Sequence, residues 1–206
     1  MRRQTLIALT ILLGAALASI AGAGVARADT STPCDAAPVS QPFAPWGDLS
    51  WYSLLPNGGF EQGPSSWTLG GSAQVVGGNE PFQVNDPSDS SSLDLGPSGQ
   101  ATSDPMCVTP DDPTLRLFVR NDGDPSSHLK VQVKFTDLNN TKVTVTVATL
   151  TAGSDWQPSD LIPVIAAQLA PVLDAGPTDV SFRFAATNDG GDWSIDDVYL
   201  DPFKTK

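Results

Sequence analysis

Hydrophobic and polar residues alternate one for one along the second half of the chain. Leu129, Val131, Val133 and Phe135 are separated by Lys130, Gln132 and Lys134. Val143, Val145 and Val147 are separated by Thr144 and Thr146, and Val180, Phe182 and Phe184 by Ser181 and Arg183. A period of two with one apolar and one polar face predicts antiparallel strands buried on one side. Less regular β-like runs lie at 72–77, 92–95, 101–108, 114–119 and 193–200, punctuated by Gly, Pro, Asn and Asp. Asn121-Asp122-Gly123 and Asn188-Asp189-Gly190 have the composition of tight turns. Many short strands at this spacing predict an all-β, antiparallel sandwich over residues 51–203. The Ser/Asp-rich stretch 85–94 reads as a loop. In 160–176, Pro163 and Pro171 confine any helix to a short piece between them. Residues 29–50 carry Pro33, Pro38, Pro42 and Pro45 without a periodic pattern, so an irregular N-terminal segment is expected before the sandwich.

The first 28 residues follow another rule. Arg2 and Arg3 precede an apolar run from Leu6 to about Ile20, and Ala26-Arg27-Ala28 closes the stretch. That is the pattern of a secretory signal peptide, 1–28, cut after Ala28, which predicts a secreted protein with no membrane segment in its mature form. The cut would remove three of 11 Lys+Arg and none of 23 Asp+Glu, taking the formal net charge from −12 to −15. Such acidity argues against a nucleic-acid partner. In an exported chain the two cysteines, Cys34 and Cys107, are expected to pair. The bridge would close a loop of about 73 residues and contribute about 4 kcal/mol on the chain-entropy model.

Catalytic chemistry is thinly represented, and no enzyme is expected. His128 is the sole histidine and no G-x-S-x-G stands in the sequence. A carboxylate pair for glycoside hydrolysis can be found by chance among 23 acids. Five tryptophans offer flat rings for stacking against sugars. Trp67, Trp156 and Trp193 adjoin strand starts and read as packing residues. Trp46, Trp51 and Tyr52, in or beside the N-terminal segment, are the candidate ligand-binding residues.

Asp196 and Asp197 interrupt the apolar run "WSIDDVYL". Successive strand residues face opposite ways, so one acid points to the packed side, where a carboxylate is costly unless paired or metal-bound. Calcium, which accepts carboxylates together with backbone carbonyls, is the expected cofactor. Asn57 and Glu61 in "LPNGGFEQG" are the candidate partners from the other end of the domain. Strand parity puts Asp196 with Val198 and Leu200 and makes it the first choice, with Asp197 its solvated neighbour. A bulge would exchange the two.

"NGGFEQGPSSWTL" at 57–69, "SDWQP" at 154–158 and "DVSFRFAATNDGGDWSIDDVYLDP" at 179–202 together resemble the carbohydrate-binding modules of families 4, 9 and 22. The resemblance covers about residues 55–202. It implies a galactose-binding-like jelly roll with a structural calcium joining the chain's ends through Glu61 and Asp196. It also implies a glycan partner, such as a cell-wall polysaccharide. The middle strands depart from the family by presenting Lys, Gln and Thr where such modules present aromatics. The whole chain is also similar to small, stand-alone secreted actinobacterial proteins of unknown function. A secreted, non-catalytic, glycan-binding module is therefore expected. The alternatives are a structural or adhesive cell-envelope protein that binds a protein partner and, further off, a glycan-active hydrolase.

Overall fold

The structure, a computed structural model, describes Cys34, residues 37–187 and residues 189–202. The expected signal peptide and its cleavage site lie outside the described residues, as do Asn188 of the second turn and residue 203 at the expected domain limit. Thirteen strands follow in order: β1 Ser53–Leu54, β2 Trp67–Gly70, β3 Gln74–Gly77, β4 Ser91–Asp94, β5 Gln100–Ser103, β6 Met106–Val108, β7 Thr114–Asn121, β8 Leu129–Thr136, β9 Lys142–Leu150, β10 Gln157–Pro158, β11 Ile162–Pro163, β12 Thr178–Ala186 and β13 Trp193–Asp201. They form two antiparallel sheets. The first is seven-stranded, in the order β10-β7-β13-β4-β3 with β1 on β13 and β11 on β7. The second is six-stranded, in the order β2-β5-β12-β8-β9 with β6 on β12. This is an antiparallel β-sandwich of the jelly-roll kind.

The alternating runs became strands with the expected sides inward. Leu129, Val131, Val133 and Phe135 of β8 and Val180, Phe182 and Phe184 of β12 fill the space between the sheets against Leu115, Leu117 and Val119 of β7. Each buried side chain of this size contributes about 1.5–3 kcal/mol through removal from water. The one α-helix among the described residues, α1 Ala170–Asp174, differs from expectation by holding Pro171 in its first turn. There the missing N–H has no intrahelical partner to lose and the fixed φ suits a helix. Ile162 and Pro163 instead pair with β7. Among the described residues no helix is long and apolar enough to cross a membrane.

The N-terminal segment is irregular, but it is packed. Ser40 and Tyr52 exchange backbone hydrogen bonds of 2.9 and 2.8 Å. A 3-10 turn, Ala44–Trp46, lies between them. Cys34 is bridged to Cys107, the middle residue of β6 and the partner of Asp179 in the β6–β12 ladder, with the two Cα atoms 5.2 Å apart.

Candidate functional site

The two sheets have very different outer faces. On the first sheet, β13 is buried along its whole length because its outer side is roofed. Phe43 stacks on Phe118 with centroids 5.4 Å apart and meets Tyr52 and Tyr199 edge-on at 5.1 and 5.7 Å. Arg116 of β7 locks the roof. Its Nη1 donates to Asp48 Oδ2 at 2.7 Å, its Nε and Nη2 donate to the Ser159 carbonyl, and its guanidinium lies 4.3 Å over the Phe43 ring. The Tyr52 hydroxyl donates to the same Asp48 oxygen at 2.7 Å. Burial raises the Asp48 pKa, but the bonds from Tyr52, Ser50 and Arg116 outweigh it and bring the carboxyl down to about 2.

Tyr52 is therefore a core residue with no exposed surface, and a covered ring has no face to offer a sugar. This corrects its place among the ligand-binding candidates. Trp51 is half-buried beside it. Trp46, 37% exposed, stands edge-on to the equally open Phe82 at 4.8 Å. The three aromatics form no continuous platform.

The acid pair lies under this roof. Between Asp196 and Tyr199 the register of β13 against β7 shifts by one residue, and Asp197 takes a φ of 47°. Unbroken alternation from the inward Ile195 would have pointed Asp197 into the apolar space between the sheets. The bulge turns Asp197 away from that space and returns Val198 and Leu200 to the core. Asp196 thus shares its face with Phe118 and Tyr199, opposite Val198 and Leu200, which reverses the parity reading. The expectation of a solvated Asp197 is corrected too, since both acids are fully buried.

They are not equivalent. Asp196 accepts from the Glu80 backbone N–H at 3.0 Å and from its neighbour's N–H at 2.8 Å. Burial, and then the Asp197 charge, still push its pKa up to about 9. Neither oxygen of Asp197 has a hydrogen-bond partner. Burial and the charges of Glu80, Asp89 and Glu61 raise it to about 7, while the nearby Asn85 backbone amide acts the other way without closing a bond. The Tyr199 hydroxyl, near the same acids, is also buried without a partner. At Gly59 an added Cβ would lie 2.9 Å from Asp197 Oδ1 and 3.8 Å from both Asn85 Nδ2 and Asp89 Oδ2. The glycine thus leaves a small space among these groups.

The other predicted ligands have different duties. Glu61 accepts from the backbone N–H groups of Ser90 and Ser91 at 2.8 and 2.6 Å, fixing the entry to β4. Its charge reaches Asp197. The Asn57 side chain is spent inside its own loop, donating to the Gly63 and Ser65 carbonyls and accepting from the Gln62 N–H. Sequence reasoning missed Glu80. It is fully buried and accepts from the Val84 N–H at 2.8 Å and the Phe82 N–H, shaping the loop that covers Asp196. No sequence pattern marks it. Among the described residues no three His, Cys, Asp or Glu side chains converge in metal-binding geometry.

The outer face of the second sheet is open. Register aligns Thr68, Thr102, Arg183, Gln132 and Thr146 across β2, β5, β12, β8 and β9. Arg183 Nη1 donates to Gln132 Oε1 at 2.8 Å, Nη2 donates to Gln100 Oε1, and Gln132 Nε2 donates to Thr146 Oγ1 at 3.1 Å. An open depression of ≈ 220 Å³ crosses this row, lined by Thr68, Leu69, Gly70, Gln100, Thr102, Lys134 and Arg183. Sequence alternation exposed its lysine, glutamine and threonine residues, but only strand pairing brought them together.

No protein-family model matches the chain and no curated protein matches its sequence. Solved structures with a similar path include the C-terminal family 22 carbohydrate-binding module of Clostridium thermocellum Xyn10B. Identity is 18%, with 74% of this chain and 96% of that one covered and a TM-score of 0.45. The xylan-binding CBM22-1 domain of Paenibacillus barcinonensis Xyn10C is 15% identical over 72% of this chain and 93% of that one, with a TM-score of 0.47. The enzymatically active domain of bacteriophage CBA120 tailspike protein 4 is 16% identical over 71% of this chain, with a TM-score of 0.49. This chain covers only 21% of that one. The sandwich itself rests on the strand pairing above, and no ligand or activity is carried over from these likenesses.

Proposed function

We propose that the protein is a secreted, non-catalytic glycan-binding module. The observation that supports this best is the open groove on the second sheet, where a braced row of amide, hydroxyl and guanidinium groups matches the hydrogen-bonding surface of a polysaccharide. Retention on at least one immobilised polysaccharide, weakened by replacing Arg183 or Gln132, is the expected result. A panel of plant, fungal and bacterial cell-wall polymers that leaves the protein wholly unretained would sink the proposal.

A structural or adhesive role towards a protein partner is the second reading. It is favoured by the half-exposed Trp46–Phe82 pair at the edge of the roof. Specific capture of one envelope protein, abolished by Trp46→Ala and unaffected by Arg183→Ala, would support it.

We also propose a structural calcium ion beside Asp197. The donors are hard oxygens, the Asp197 carboxylate lacks any partner, and Gly59 keeps the adjoining space clear. With no three acids converging among the described residues, backbone carbonyls and water would complete the shell, as calcium accepts. The ion would supply the positive charge that the buried acids lack. Asp197, with Asp89 alongside, replaces Asp196 and Asn57 as the ligand we favour, and Glu61 contributes through its field and its hold on β4.

A further inference from the structure

We infer that the open groove is selective for acidic polysaccharides, with the Arg183 fork receiving a sugar carboxylate and Lys134 flanking it. This deepens the glycan-binding reading and rests on it. It follows from the distribution of positive charge. The chain carries 23 acids against 11 Lys+Arg. Among the described residues the cations are Arg116, Arg120, Lys130, Lys134, Lys142 and Arg183. The first two belong to the roofed sheet and are ion-paired with Asp48 and Asp122. The other four lie on β8, β9 and β12, at positions that alternate with buried residues on β8 and β12 and with half-buried ones on β9. Against them, the strands of the second sheet place one acid, Asp179, on this face.

Arg183 is more than a surface charge. Gln132 and Gln100 accept from separate guanidinium nitrogens, and Thr146 holds Gln132 in turn. Such bracing lowers the cost of ordering the side chain on binding. Arginine has five N–H donors in a planar array, so donors remain after the two bonds to glutamine. A carboxylate is the group that such a fork takes in bidentate fashion. The row across the strands contains no aromatic ring, so recognition here falls to charge and hydrogen bonds. The acidic remainder of the surface repels a polyanion and confines it to this face.

Isothermal titration with sodium oligogalacturonate and with its fully methyl-esterified counterpart tests the inference, because esterification removes the charge at each acid group and adds no more than a methyl. Binding of the acid form, weakened at least about tenfold by esterification and similarly by Arg183→Gln, is expected for a charge-assisted bond. Lys134→Gln should weaken it less. Arg183→Lys, which keeps the charge and loses the fork, should not restore full affinity. Equal binding of both oligosaccharides overturns acid selectivity and leaves the glycan-binding reading standing. Full affinity in Arg183→Lys, or equal binding of dextran sulfate, overturns the carboxylate fork. Absence of binding to these and to every neutral polymer overturns both readings. Arg183 and Lys134 both lie on an open face, and an unchanged melting temperature in each variant shows that the fold is intact.

Discussion

The sandwich presents two outer faces built on the same alternation, and they end in opposite states. On the second sheet, outward positions hold Thr, Gln, Lys and Arg, and nothing covers them among the described residues. On the first, the outward positions of β7 and β13 hold Arg116, Phe118, Asp196 and Tyr199, and the N-terminal segment and the 79–90 loop close over them. Aromatic side chains on a sheet's outer side call for a cover. The cover in turn encloses whatever charge lies between them. Arg116 is neutralised by Asp48, but Asp196 and Asp197 have no cation among the described residues. One face thus carries free positive charge in the open, the other buried negative charge under a roof.

The sharpest way to break this contrast is to delete the anchor of the roof. Phe118→Ala should cost about 3–5 kcal/mol, as for other buried phenylalanines, whereas Gln132→Ala on the open face should stay within about 0.5 kcal/mol. Chemical denaturation of both variants checks the pair. Equal losses would mean that the two faces are not distinct.

Next in size is the bridge that ties the N-terminal segment to the second sheet. Replacing Cys34 and Cys107 together by serine should destabilise the protein by about 4 kcal/mol, measured by the same denaturation.

The proposed ion comes third. With calcium at about a hundredfold over its Kd, binding contributes about 2.7 kcal/mol, so EDTA should lower the melting temperature. Asp197→Asn should abolish the response to calcium and be more stable than the parent in EDTA, because it removes a buried charge. Gly59→Ala should abolish the response by filling the space while leaving every charge in place. A melting temperature indifferent to EDTA would remove the ion from the picture.

pH dependence separates the buried acid pair from Asp48. Asp196 and Asp197 have folded pKa values of about 9 and about 7 against an ordinary 3.8. A raised carboxyl pKa means that the folded state holds the proton more tightly, so stability is lost as pH rises from about 4 towards 9. Asp48, held at about 2, acts in the opposite sense. Its contribution is present above 3.8 and is lost as pH falls towards 2. In EDTA, melting temperature is therefore expected to rise from pH 2 to 4 and to decline above that, and calcium should flatten the decline. Stability that keeps rising from pH 5 to 8 in EDTA would show that the pair is compensated in some other way.

Much of the frame was legible in the sequence because it depends on short-range rules. Alternation identified β8, β9 and β12, and their inward residues followed from the period of two. The cysteine pair needed only the expectation of export. The candidate site was legible only in outline. "IDDV" announced a problem with buried charge, but which acid carried it depended on one extra residue in β13, and Asp197 tolerates the positive φ that this requires. Glu80 gave no signal, since its role comes from the loop it shapes over a strand more than a hundred positions away. Tyr52 looked available for a ligand because nothing local reveals that Phe43 and Arg116 enclose it.

The sequence by itself determined that this chain folds as a sandwich, which residues face its core and that two acids needed an explanation. Those outcomes follow from side-chain chemistry repeated at the period of a strand. The tertiary structure alone decided which outer face is roofed, which acid is left without a partner and which polar residues line up as a groove. These depend on strand order and register between distant segments, which local alternation does not encode.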